Sequence, residues 1–551
     1  MPEIFASLDP FFETGEIMGR SVANEGFLRA LMEPDPFAEY HFFVQGELAA
    51  RRLSARFAKE FPRQEGRGAL RVSDRSELPD ALARNDYHCF HLSDCINNPA
   101  WLAALRNRAG RQTFPITSLT HSLSYARYPQ AFLAHIWPGA TSRDCVVGTS
   151  RAAVKVVEKI YANLRGCYGL DPDRFPQPAL EKIPLGVDTK RLLPPDAEER
   201  QKARRRLGIR AEEVMILVFG RFSHHSKMDL LPVFRALQRL SAKGIEPSRL
   251  RLVFGGWCGK KERMLDVYRE LAGNLGLKLD LFLCPEQSEK RELYAAADIF
   301  LSPADNPQET FGISVAEAGA CGLPAVASDY DGYRDIIVHG GTGFLAPVIS
   351  TRNTAGLDAC APLVFDTQTH LKLAQRNAVD VAAMAEHLAL LIIDPGLRLK
   401  MGAAARKRIE AEFSWQSVVE NYLKLWDELW SRPVDPEAAG NWRHPQMMDY
   451  GTVFSGHPGA AIGPDDLLEA TSAGHAVYRG LDHVIIYDGV GREISEKAIR
   501  MLLFKARKPM AAGDLEAALV EAFGLDAESC ESLVLWALKH DMLGLVRGEG
   551  A

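Results

Sequence analysis

Ile299-Phe-Leu-Ser-Pro303, then Glu309-Thr-Phe-Gly-Ile-Ser-Val-Ala-Glu317, then Gly322-Leu-Pro-Ala-Val-Ala-Ser328 read as strand, loop, helix and strand. The first apolar run stops at a proline, which cannot donate to a sheet ladder. The stretch from Phe311 to Cys321 is dense in small residues and is expected to be a helix packed closely on its sheet. Strand, loop, helix is the geometry in which backbone N–H groups and the positive end of a helix dipole face an anion. Gly312 is read as removing the side chain where such an anion would approach.

Working outward, residues 1–195 alternate short apolar runs (Tyr40–Val44, Tyr87–Leu92, Ile116–Leu119, Asp144–Val147) with helical stretches such as 47–61 and 151–165. A second rhythm begins at Val214–Phe219 and runs through Leu250–Phe254, Leu279–Leu283, Asp298–Leu301 and Pro324–Ala327, with helical period at 228–242 and 260–275. Both are the strand–helix rhythm of parallel α/β sheets. The fold class expected is therefore α/β, with two Rossmann-like doubly wound domains facing a cleft, 1–195 and 196–432. The second is expected to end in long helices. Residues 433–475, rich in Pro, Gly and Asp, read as a linker, and 476–551 as a small, mainly helical module with helices at 494–505, 512–523 and 527–543.

The bulk properties of the 551 residues fit this picture. Hydrophobic residues make up 47% and charged residues 25%, and the net charge is −6. That is an ordinary globular composition, and it argues against a nucleic-acid partner. Nine scattered cysteines without a CxxC pair argue against a disulfide framework or a zinc site and read as buried free thiols. The start lacks a basic, apolar leader, and no run of about 18 apolar residues follows. A cytoplasmic location is expected, with peripheral membrane contact left open.

The candidate site gathers where the second rhythm's strands end. Glu309 stands before the expected helix and Glu317 well inside it, about 9 Å along at roughly 1.5 Å per residue. That spacing suits anchors for a sugar hydroxyl and a ribose diol on either side of a diphosphate, since carboxylates accept hydrogen bonds from hydroxyls. Upstream, Val218-Phe-Gly-Arg-Phe-Ser-His-His-Ser-Lys227 closes a strand with a glycine and supplies two cations, Arg221 and Lys227, suited to a diphosphate. In the first domain, Thr14-Gly-Glu-Ile-Met-Gly-Arg20 carries Gly15 and Gly19 ahead of a helix, where backbone could approach a phosphate or an acceptor. His121 follows a strand at its carboxyl end.

Glu309–Glu317, Ala318–Ser328 and Gly340-Gly-Thr-Gly-Phe-Leu345, in this order, resemble the family four glycosyltransferases, retaining enzymes of the GT-B fold. The resemblance implies that Glu309 holds donor-sugar hydroxyls and Glu317 the ribose. Val218–Lys227 resembles the family's Gly-Arg-x5-Lys element, which gives Arg221 and Lys227 the leaving diphosphate, although His224 and His225 are not part of that pattern. His121 resembles the family's histidine that points at the donor sugar, and Ile183-Pro-Leu-Gly-Val-Asp188 an interdomain landmark in which Leu185 replaces the usual Asn. The catalytic set implied is Glu309, His121, Arg221 and Lys227. The donor-binding set is Gly15, Arg221, Lys227, Glu309, Phe311, Gly312, Ile313 and Glu317. The donor would be a nucleotide-diphosphate sugar and the acceptor a glycan, a lipid-linked or a peptide hydroxyl. No cofactor and no metal are implied. Asp329-Tyr-Asp331 spells the DxD of metal-dependent glycosyltransferases, but it follows a strand where relatives have an ordinary loop.

The module at 476–551 loosely resembles winged-helix or PqqD-like domains that hold peptides. It carries more Asp and Glu than Lys and Arg, which disfavours DNA. Homodimerisation through this module is an alternative. Two competing functions are a sugar-nucleotide-binding protein without turnover, whose C-terminal module binds a peptide or protein partner, and a phosphorylase of the same fold. The combined retention of Glu309, Glu317, Arg221 and Lys227 argues against the first, and the lack of a pyridoxal phosphate motif argues against the second.

Overall fold

A computed structural model describes residues 2–12, 19–257, 264–487, 489–491 and 493–546. The chain divides into two compact units, Met1–Met447 and Met448–Ala551. The first unit holds two parallel sheets. β1 (Ile4–Ser7), β2 (Glu39–Val44), β3 (Leu70–Asp74), β4 (Cys89–Leu92), β5 (Ile116–Leu119), β6 (Asp144–Gly148) and β7 (Ala179–Lys182) are ordered β3-β2-β1-β4-β5-β6-β7. β8 (Val214–Arg221), β9 (Leu250–Trp257), β10 (Lys278–Leu283), β11 (Ile299–Ser302), β12 (Ala325–Ser328) and β13 (Gly343–Ala346) are ordered β10-β9-β8-β11-β12-β13.

The central strands are apolar on both faces because helices cover both sides of each sheet. Met215 to Val218 and Ile299 to Leu301 have no solvent exposure. In the second sheet the strand order reverses between β8 and β11, and open α/β sheets bind ligands beyond the carboxyl ends of strands at such a point. Arg221 ends β8 and Ser302 ends β11, so the chain's geometry places the candidate residues there.

The long helix Trp415–Ser431, read with the second domain, docks on the first sheet instead. Its buried stripe (Val418, Val419, Tyr422, Leu425, Trp426, Leu429) meets the Gly19–Met32 helix. The Trp426 indole donates to Thr117 Oγ1 of β5 at 3.0 Å, and that of Trp430 donates to the His88 carbonyl. At the helix's start the Trp415 ring lies where Cβ atoms on Gly26 and Gly186 would fall, 2.5 and 2.3 Å away. Only glycine at 186, in the interdomain stretch Ile183–Asp188, leaves room for that ring.

The stretch read as a linker is also divided. Pro436–Gly440 forms a short helix against the Pro99–Ala109 helix, and the buried His444 ring packs between Trp101 and Trp137. β16 (Leu467–Ala470) lies in the second unit, as the central strand of an antiparallel sheet ordered β17-β16-β18, with β17 (Met510–Ala511) and β18 (Leu543–Leu545). Helices Ser472–Tyr478, Glu496–Lys505, Ala512–Phe523 and Ala527–Lys539 close around their own core of Leu468, Leu502, Leu515, Leu533 and Trp536. No helix among the described residues is long and apolar enough to cross a membrane.

Candidate functional site

The loop between β11 and the Ile313–Ala320 helix carries Glu309. Loops of the first sheet fix it from two directions. Ser122, after β5, donates to the Gln308 carbonyl at 2.8 Å, and Thr149, after β6, reaches the Thr310 carbonyl at 3.4 Å. Beside these, the Arg151 backbone N–H and guanidinium both donate to the Asp335 carboxylate. On the Ser122 side, Gln308 Nε2 donates to the Tyr125 hydroxyl at 3.2 Å and the Ala126 N–H to Asp366 at 3.0 Å. Asp366 begins a helix, Asp366–Ala374, in an excursion between β14 (Val348–Ser350) and β15 (Asn377–Val379).

Glu309 is brought against Lys227, whose ammonium donates to its Oε2. Lys227 is itself carried by the turn after β8, where the Arg221 guanidinium donates to Ser226 Oγ at 3.3 Å. Burial, and after it the Arg221 cation, push the Lys227 ammonium down to about 8. The Glu309 carboxylate opposes them by favouring the charged form. His224 and His225, the two residues foreign to the pattern, lie with ring centroids 4.2 Å apart and tilted by 40° in this turn, and Asn306 Nδ2 ties the His225 carbonyl to the Glu309 loop at 2.9 Å.

Glu317 is buried on the helix, with its carboxylate between two donors: Lys290 Nζ at 2.6 Å and the Tyr294 hydroxyl at 3.2 Å. Lys290 also lies 5.2 Å over the Phe219 ring. Neither partner was expected from the sequence, yet a signal was present. Lys290 and Tyr294 stand four apart on the Gln287–Ala296 helix, hence on one face of it. Ile313, Glu317, Lys290, Glu286 and Trp257 line one wall of an open cleft, and the Gly19–Met32 helix lines the other. A Cβ on Gly19 would stand 3.8 Å from Ile313 Cδ1. Gly15 lies outside the described residues.

Two readings change. Phe311 was expected to touch the donor, but its ring is buried and packs 6.0 Å from Phe413. This aromatic side chain, inside the Glu309–Glu317 element, serves the core. Gly312 was read as making room for an anion. Its backbone is left-handed, with φ 107°, and a Cβ would lie 2.3 Å from Tyr333 Cε1, so it makes room for the Tyr333 ring. The amides that follow still begin a helix, which remains a suitable anion site.

His121 is half-buried. Its Nε2–H donates to the Ser93 carbonyl at 2.8 Å, and burial pushes its pKa down to about 4. The imidazole is therefore neutral with its proton committed to Ser93, which leaves Nδ1 as an acceptor. Asp329 of the DxD sequence accepts from Arg334 Nε at 2.7 Å, while burial pushes Asp331 up to about 7. Among the described residues no group of three or more His, Cys, Asp or Glu is arranged to hold a metal ion.

Comparison with known proteins gives consistent matches. Residues 199–355 match the family described as glycosyl transferases group 1. The chain is similar to a D-inositol 3-phosphate glycosyltransferase of Xylanimonas cellulosilytica, 27% identical over 354 residues that cover 62% of this chain and 73% of that protein. It is also similar to one of Kineococcus radiotolerans, 28% identical over 366 residues, covering 64% and 74%. Among solved structures, Anabaena Alr3699/HepE in complex with UDP and glucose matches with a TM-score of 0.51 over 77% of this chain and 100% of that one. At 14% identity the likeness is one of fold.

Proposed function

We propose, from the premise that this chain is a GT-B glycosyltransferase of family four with a group 1 domain across residues 199–355, that it transfers a sugar from a nucleotide-diphosphate donor to a hydroxyl with retention of configuration and without a metal. The observation that carries this reading is the Lys227–Glu309 ion pair at the strand-order reversal, with the buried carboxylate of Glu317 on the helix that follows. An ion pair so placed separates into two useful halves. The donor's diphosphate draws Lys227 and Arg221 to itself, and the sugar's hydroxyls take their place on Glu309. Glu317, held by Lys290 and Tyr294, receives the ribose diol, and the amides at the start of the Ile313–Ala320 helix face the phosphates.

In this mechanism the bond from the anomeric carbon to the phosphate oxygen breaks, and the acceptor oxygen bonds to the same face. The acceptor's proton passes to the departing phosphate oxygen, so no dedicated base is required. The protein supplies position and charge stabilisation. Neutral His121 offers Nδ1 to a hydroxyl of the sugar or acceptor. UDP is the first nucleotide to try because it is bound in the HepE structure, and a polyol hydroxyl is the first acceptor because the curated relatives are named for one. Glycan, lipid-linked and peptide hydroxyls follow.

A thermal-shift panel of UDP, GDP and ADP tests the donor assignment. Stabilisation by one of them, reduced when Arg221 and Lys227 are both replaced by alanine, is expected. Wild-type turnover in that double variant would overturn the mechanism.

A further inference from the structure

Glu309 sits in a turn between β11 and the Ile313–Ala320 helix, where its backbone N–H donates to the Asn306 carbonyl at 3.1 Å; that bond fixes the backbone, and other groups must aim the carboxylate. Among the described residues, two groups reach its Oε2: the Lys227 ammonium and the Tyr333 hydroxyl, the latter at 3.3 Å. Tyr333 is fully buried, and its hydroxyl also meets Ser302 Oγ at 2.7 Å, at the last residue of β11. Its ring fills the space that glycine leaves at position 312. The ring is thereby fixed, burial holds the phenol protonated, and the Ser302 hydroxyl can donate to the Tyr333 oxygen while Tyr333 donates to Glu309.

We propose that Tyr333 is the positioning residue of the sugar anchor: its hydroxyl, fixed by Ser302, keeps Glu309 aimed into the cleft once the donor's diphosphate has drawn Lys227 away. This rests on the reading of Glu309 as the sugar anchor. The diphosphate, the more highly charged anion, draws the ammonium toward itself and away from the carboxylate. Glu309 then keeps Tyr333 alone. The present 3.3 Å is long for an O–H···O bond, and on this proposal it is expected to shorten when Lys227 leaves.

The test uses the full chain, with UDP-glucose, GDP-mannose and ADP-glucose as donors and nucleoside diphosphate release as the readout. Tyr333→Phe keeps the ring and removes one bond to a charged group. It is expected to lower kcat by about tenfold or more, while the affinity for the matching nucleoside diphosphate, which lacks the sugar, changes by less than about twofold. Ser302→Ala should act in the same direction more weakly, and it serves if Tyr333→Phe folds poorly. In a Glu309→Ala background Tyr333→Phe should leave the sugar's contribution to donor affinity unchanged. An equal effect of Tyr333→Phe with and without Glu309, or an equal loss of nucleoside diphosphate affinity, would show a structural role and overturn the proposal. Wild-type turnover in Glu309→Ala alone would instead overturn the anchor reading beneath it.

Discussion

Donor binding should fall away on the alkaline side, and the cause should be Lys227. Its ammonium is held down at about 8 by burial and then by Arg221. The charged form is the one that binds a diphosphate, and a lowered pKa means that this form is lost sooner as pH rises. With a pKa of about 8, roughly ten in eleven molecules carry the charge at pH 7 and one in eleven at pH 9, so kcat/KM for the donor should drop about tenfold over that interval. Lys227→Arg keeps its charge across the range. Its profile therefore absorbs any titration of the nucleotide itself, and the wild-type to Lys227→Arg ratio isolates the lysine. Two neighbours give signed controls. Arg221→Ala removes a like charge and should move the alkaline limb to higher pH; Glu309→Gln removes the stabilising carboxylate and should move it lower. The assay is kcat/KM for the donor, or donor affinity by calorimetry, from pH 6.5 to 9.5. A ratio that stays flat through pH 9.5 would refute the reasoning.

Replacing Lys290 with methionine removes the 2.6 Å partner of a buried carboxylate and should weaken nucleoside diphosphate binding by about tenfold or more, measured by calorimetry. Tyr294→Phe, at 3.2 Å, should cost less. Gly312→Ala combines a left-handed backbone with the Tyr333 contact and should destabilise by about 2–4 kcal/mol. Gly169→Ala has φ 63° and open space around it and should cost only about 1 kcal/mol, both read by chemical denaturation. Phe311→Leu should lower the melting temperature yet leave the donor KM within about twofold, because that ring faces Phe413 and not the cleft.

Much of the fold was legible because central parallel strands are continuously apolar: Val214–Phe219 and Ile299–Leu301 are read directly from residue type. The edge strands of the first sheet were not. β3 (Leu-Arg-Val-Ser-Asp) and β7 (Ala-Leu-Glu-Lys) are polar and half-exposed, and they carry no such run. The Trp415–Ser431 helix was visible from its period, but a period does not say which sheet the apolar stripe will meet. Its partners, Gly26 and Thr117, lie hundreds of residues away. The same limit governs the site. Glu309 and Glu317 stand out by spacing and by the strands around them. Lys290 and Tyr333 join them only through tertiary contact, and the same contact turns the Phe311 ring into the core against Phe413.

The central claim is that Glu309 and Lys227 separate to receive the two parts of one donor. The most direct measurement is a crystal structure with an intact nucleotide-diphosphate sugar bound. It should show Lys227 moved from Glu309 onto the diphosphate, a sugar hydroxyl within hydrogen-bond distance of the Glu309 carboxylate, and the ribose at Glu317. A donor bound elsewhere, or one bound in the cleft with the Lys227–Glu309 pair intact, would contradict it.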